Sequence, residues 1–150
     1  METINIKHRM VLPCSGLHRE LKRVLLEQLT EDVVGKCVQE YGHIVHVVRI
    51  HKILHYEISR VDSSLIFVIE YVARVLNPRV GMVSRGEICM VYPEGLFVNI
   101  QGYQKVLIPS QTLAEVSVDT FEVGDMIDVE LTAVKYTGNY FNCIGRLKDL

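Results

Sequence analysis

Four histidines lie close together, His43, His46, His51 and His55, and the last two have the i, i+4 spacing that on a helix offers two imidazoles to one metal ion. The surrounding residues read as strand and loop, where that spacing has no such meaning, so these rings are expected to be solvated or hydrogen-bonded. The carboxylates are no better arranged for proton transfer. Glu31-Asp32 falls at a helix end and Asp125, Asp128 and Glu130 fall along a strand, which makes a polar terminus and a solvated face rather than an acid–base pair. Cys14, Cys37, Cys89 and Cys143 are scattered without a CxxC pair, each among apolar or strand-like neighbours where a thiol acts as a small hydrophobe. Neither a disulfide framework nor a zinc site is expected from them, and a reducing compartment is their natural home. No glycine-rich loop of the GxxxxGK type followed by Ser or Thr occurs, so no nucleotide-phosphate cradle is expected. The reading therefore assigns no catalytic residue, no cofactor and no metal. What remains is a set of aromatic residues interleaved with basic ones: Tyr92, Phe97 and Tyr103 with Arg85 and Lys105. Such side chains can stack nucleobases beside positive charge. The competing use of Phe97 is burial, worth about 1.5–3 kcal/mol in any fold.

The elements that must carry these residues change character at Asn77-Pro78, because the residue before a proline is pushed toward extended geometry. This places one domain at 1–78 and a second at 79–150. In the first, Ile4, Ile6, His8 and Met10 alternate with Asn5, Lys7 and Arg9, which predicts a half-buried strand stopped by Pro13. Ser15 or Gly16 can cap the amphipathic helix that follows, with Leu17, Leu21, Val24, Leu25 and Leu29 at helical spacing through Asp32. Gly35 ends it. Lys36 to Ile53 and Leu65 to Leu76 are rich in β-branched residues and predict two further strands, with His51 to Ser64 as a loop or hairpin region. Leu65 to Leu76 is apolar on both of its alternating sets, too many for a strand with one wet face, so a second surface must cover it.

After Pro78 the pattern becomes five short strands punctuated by glycine turns, at Met82–Val91, Leu96–Ile100, Tyr103–Ile108, Met126–Tyr136 and Tyr140–Leu147. Five is the strand number of an OB barrel. Ile127, Val129, Leu131 and Ala133 are expected inside the fourth strand, opposite an acidic exposed set. The predicted architecture is α+β, a helix on an antiparallel sheet, followed by an all-β five-stranded OB barrel.

The composition is 49% hydrophobic, enough for a core, and the formal net charge is −2. That charge excludes a protein gripping nucleic acid by electrostatics alone. Residues 1–78 carry ten Lys/Arg against nine Asp/Glu, and the remainder six against nine. The longest apolar runs, such as Leu65 to Ile69, fall far short of the roughly 20 residues needed to cross a bilayer. With no charged-then-apolar leader at Met1 to Lys7, a soluble, unexported protein with no membrane partner is expected.

Four segments follow one another in a familiar order: residues 81–88 (GMVSRGEI), 94–100 (EGLFVNI), 106–108 (VLI) and 121–129 (FEVGDMIDV). They resemble the OB-fold RNA-binding domain named after the largest protein of the bacterial small ribosomal subunit. The first half is more discriminating. Its proline-stopped strand, the helix end at 33–37 (VVGKC), the Tyr41-Gly42 turn, residues 67–73 (FVIEYVA) and the passage through Asn77-Pro78 to Gly81 resemble the tip domain of the stalk subunits of multi-subunit DNA-directed RNA polymerases, the family of the seventh subunit of eukaryotic RNA polymerase II and its archaeal counterpart. Two departures mark a divergent member, a viral copy included. The loop after Ile58, glycine-rich in that family, is Ser59 to Ser64 here, and the barrel is shorter than in most relatives.

The resemblance implies a non-catalytic subunit that pairs with a helical companion as a heterodimer, docks on the polymerase core and offers its barrel to nascent single-stranded RNA. Phe97 holds the motif position that is commonly aromatic on the binding face, with Tyr92, Tyr103, Lys105 and Arg85 around it. Glu94 and Leu107 stand where RNA-gripping relatives often carry Phe and His, so the contact with RNA is expected to be weak. Arg60, Asp62, Ser63 and Ser64 are the implied core-docking residues. The implied location is the nucleus in a cellular eukaryote, or the cytoplasm or virion in a virus. The rival is a free-standing OB-fold RNA-binding factor in translation or RNA decay.

Overall fold

A computed structural model describes residues 2–13, 20–113 and 117–148, so Cys14, the capping candidates Ser15 and Gly16, and Leu17 lie outside the described residues. The chain divides into two units, Met1–Cys37 with His43–Asn77, and Pro78–Leu150 with Val38–Gly42.

A four-stranded sheet in the order β1-β4-β3-β2, formed by β1 (Glu2–Leu12), β2 (Cys37–Val38), β3 (Gly42–Ile58) and β4 (Leu65–Leu76), belongs to the first unit except for Val38 and Gly42 at the β2–β3 turn. β4 runs antiparallel to β1 and β3 on its two sides. Its alternate residues Phe67, Ile69, Tyr71, Ala73 and Val75 are buried on one face, and Val72 and Leu76 are buried as well. α1 (Leu21–Val33) buries Leu25, Leu29 and Val33. It is tied to β1 through Asp32, whose Oδ2 lies 3.3 Å from His8 Nε2 and whose Oδ1 accepts from Gln28 Nε2. His8 shares its face of β1 with buried Ile6 and Met10, so the helix lies against that face. Gly35 follows the helix at φ +88, a backbone region open to glycine at little steric cost.

Of the two readings of His51 to Ser64, loop or hairpin region, the structure shows the hairpin. Residues 51–58 are strand, and only Ser59–Ser64 form the connection. The ladder between β3 and β4 slips four times, between Ile44/His46, Val47/Arg49, Ile50/Lys52 and Ile53/His55, so one residue in three is left over as a bulge. Ile44, Val47, Ile50, Ile53 and Tyr56 thereby come opposite the buried set of β4. A three-residue repeat matches neither the strand nor the helix period, which is why the distal half does not read as a strand.

The second unit is a closed barrel in the order β5-β6-β7-β9-β8, built from β5 (Val83–Tyr92), β6 (Gly95–Ile100), β7 (Gln104–Pro109), β8 (Met126–Thr137) and β9 (Tyr140–Leu147). Ile88, Leu96, Val98, Ile100, Val106, Ile108 and Val129 fill it and are wholly buried. The five expected strands are present to within about a residue. A bulge between Leu131 and Ala133 ends the alternation of β8, so Ala133 faces solvent rather than the interior where it was expected. No helix among the described residues is long and apolar enough to cross a membrane.

Candidate nucleic-acid interface

β6 alternates strictly: Leu96, Val98 and Ile100 point inward, which sends Phe97 and Asn99 to the outside of the barrel. Phe97 is half-buried there and is not a core residue. On its two sides it pairs with Met90 of β5 and Leu107 of β7, making one cross-strand row, and a second row joins Glu87, Asn99 and Lys105. A bulge between Ile88 and Met90 shifts the phase of β5, so both Met90 and Tyr92 turn outward beside Phe97.

The aromatic pair is geometrically defined. The Tyr92 and Phe97 rings meet edge to face at 87° with centroids 6.0 Å apart, within the favoured range for such pairs. The Tyr92 hydroxyl donates to Met90 Sδ at 3.2 Å, and the Cys89 thiol donates to the Phe97 carbonyl at 3.3 Å. Tyr92 remains 46% exposed, so its ring is anchored at one side and open at the other. A groove of about 360 Å³ runs past Tyr92 between Val91–Pro93 and Ser117–Asp119. Such an arrangement presents a π surface to a base without needing metal or acid–base chemistry.

The profile of the S1 RNA binding domain matches residues 77–143, which take in β5 to β8 and the first half of β9. The barrel is an S1 RNA-binding domain. Among solved structures, the uncharacterized protein MJ1198 from Methanocaldococcus jannaschii is similar at 17% identity over 50% of this chain and 99% of that chain, with a TM-score of 0.44. No curated protein matches the chain.

Of the five sequence-designated residues on the S1 domain, Phe97 and Tyr92 come into contact, and Lys105 lies exposed on the neighbouring strand of the same outer face. Arg85 lies at the other end of β5, near the β6–β7 turn that carries Tyr103. The five residues therefore spread along the face as an aromatic end and a polar, basic end. Sequence reasoning missed Met90, Glu87 and Asn99. Asn99 was recoverable, since it lies two residues beyond Phe97 on one strand. Met90 was not, because its direction depends on the bulge.

The first unit's connection, Ser59–Ser64, is closed on itself. Asp62 Oδ1 accepts from the Ser64 amide at 3.0 Å and from the Ser64 hydroxyl at 2.6 Å, and these bonds hold the Asp62 carboxyl below the usual Asp range. The Ser59 amide donates to the Ser64 carbonyl at 2.7 Å, and Ser63 takes a left-handed φ of 61°. Of the four docking candidates, Ser64 is buried and Asp62 is engaged within the loop, whereas Arg60 is exposed. Its neighbour Val61 is 95% exposed, and Ile53, Leu54, Tyr56 and Ile58 along the distal part of β3 are exposed too. Among the described residues no cluster of His, Cys, Asp and Glu is placed to hold a metal ion, and Cys37, Cys89 and Cys143 form no disulfide.

Proposed function

We propose that this chain is a non-catalytic RNA-binding adaptor of the polymerase-stalk type, whose S1 domain contacts single-stranded RNA while its first unit docks on other proteins. The observation that carries the RNA part is the Tyr92–Phe97 pair standing on the outside of the barrel. The docking part is supported by the run of exposed apolar residues on distal β3, since apolar side chains gathered at a surface favour a protein partner. The N-terminal resemblance supports a polymerase core and a helical companion subunit as the partners, with Arg60 beside Val61 at the hairpin tip as the docking end. The mechanism is positional. A transcript held close by the enzyme meets the weak aromatic face at high local concentration, and the chain performs no reaction itself. Its location follows from the enzyme it serves, the nucleus in a cellular eukaryote and the cytoplasm or virion in a virus.

The rival, a free-standing RNA-binding factor of translation or decay, is favoured by the confinement of the matched segment to residues 77–143. Purification of the tagged full chain from its native source separates the two. Stoichiometric recovery of polymerase subunits is the expected result. Recovery of ribosomal or decay components without polymerase overturns the stalk reading and leaves RNA binding in place.

A further inference from the structure

The sheet of the first unit has two faces, and α1 lies against the one that carries Ile6, His8 and Met10. The opposite face follows from the register of β4 with its two neighbours. It gathers five cations, Lys7 and Arg9 on β1, Arg74 on β4, and Arg49 and Lys52 on β3, with two carboxylates, Glu57 and Glu70. Of the 16 Lys/Arg and 18 Asp/Glu in the chain, eleven and sixteen are left for everything else, so a positive face stands on an otherwise acidic molecule. Glu70 is already engaged: its Oε2 lies 3.8 Å from Lys52 Nζ, and its Oε1 accepts from Asn5 Nδ2 at 3.4 Å. Lys7, Arg9, Arg49 and Arg74 are exposed and, among the described residues, form no ion pair.

Between the two flanks runs an apolar ridge. Ile66 and Val68 are half-buried and Val72 is buried along β4, with Lys7 and Arg9 on one side and Arg49 and Lys52 on the other. Adjacent strands lie about 4.8 Å apart, so the charged flanks stand about 10 Å from each other, close to the diameter of an α-helix with its side chains. From Ile66 to Val72 the ridge measures about 20 Å, the length of a helix of about 13 residues. An apolar stripe on such a helix covers the ridge, and carboxylates on both sides of the stripe meet the flanks. RNA fits less well. No Phe, Tyr or Trp occurs on this face for a base to stack on, and phosphates satisfy the cations while leaving the ridge uncovered. We propose that this face is the docking site for an acidic amphipathic helix of a partner protein. The assignment rests on the first unit docking on other proteins, whichever assembly they belong to, with charge complementarity selecting among them.

The test is fluorescence anisotropy of the full chain with a labelled helical peptide of about 14 residues, which carries leucines at i, i+3, i+4 and i+7 spacing and glutamates on both sides of that stripe. One control peptide scrambles the order, and another replaces each glutamate by lysine. The glutamate peptide is expected to bind at least about tenfold tighter than either control. Arg49→Glu and, on the other flank, Lys7→Glu each weaken it by about five- to tenfold with the melting temperature unchanged, since both side chains are exposed. The double variant prefers the lysine peptide, a reversal that loss of structure does not produce. Equal binding of the glutamate and scrambled peptides, or a double variant without that reversal, overturns the docking site. Displacement of the peptide by a uridine octamer assigns the face to phosphates, and self-association of the chain that Arg49→Glu abolishes assigns it to a second copy. Either result overturns it too. If the double variant recovers the same proteins from the native source as the natural chain does, this site alone falls and docking through distal β3 stands. A natural chain that recovers no protein removes both.

Discussion

Phe97 illustrates how little a residue's type says about its use. An aromatic ring in a strand serves a core or a ligand equally well, and only the direction of its Cβ decides. Here Leu96 and Val98 hold the two inward positions beside it, so Phe97 keeps one ring edge against Tyr92 and its flanks against Met90 and Leu107. Phe97→Ala is therefore expected to weaken single-stranded RNA binding by about five- to 150-fold, the range found when one stacked base is lost. Stability changes less than the roughly 3–5 kcal/mol that follows deletion of a truly buried Phe. Anisotropy titration and urea unfolding of the same variant measure both quantities, and a large stability loss with unchanged affinity would return Phe97 to a packing role. The outward position of Asn99 is legible from its spacing to Phe97, but the burial of its Oδ1 is not. That its Oδ1 lacks a partner depends on every neighbouring strand.

Strands were legible wherever the ladder kept its two-residue period. β6, β7 and the first half of β8 alternate cleanly, and glycine turns mark their ends, so their bounds and inward faces can be read from residue types alone. β3 is the counterexample. Its inward set recurs every third residue because four bulges interrupt the pairing with β4, and the sequence therefore leaves loop and hairpin both open after His51, where the chain continues as strand to Ile58. The same bulges leave Ile53 and Tyr56 aligned with buried Ile69 and Phe67 yet themselves 42% and 70% exposed. The start of β6 shows the opposite case, a motif glycine whose purpose becomes physical. Gly95 sits at φ +156 directly against β7, where a Cβ would fall on the backbone carbonyl oxygen of Ile108. That carbonyl belongs to a paired strand and cannot swing away as a side chain can. Gly95→Ala is expected to lower the urea midpoint by an amount equivalent to about 1–3 kcal/mol, with an unchanged m value. An unaltered midpoint would mean that the β6–β7 ladder yields at this point.

The molecule as a whole carries a net charge of −2, and its S1 domain places only Arg85 and Lys105 as cations among the residues assigned to the binding face. Electrostatic grip on RNA scales with the number of phosphates neutralised, since each releases condensed counterions, and single strands give a slope of about −0.7 per contact in log affinity against log salt. Two contacts give a slope of about −1.4. The chain is thus expected to bind weakly and with shallow salt dependence, its free energy drawn mostly from stacking on Tyr92 and Phe97. Titration of one oligomer across a range of salt concentrations measures the slope directly. A value of about −5 would mean that about seven cations engage the strand, which would require a basic track outside this face and would favour a factor that finds RNA unaided. A shallow slope fits a protein that depends on its attachment, because an affinity too weak to capture free transcript still suffices for RNA delivered at high local concentration. If the proposed attachment to a polymerase holds, apparent affinity for the delivered strand rises in that complex while the slope stays near that of the isolated protein, since tethering changes encounter and leaves the number of ionic contacts as it was.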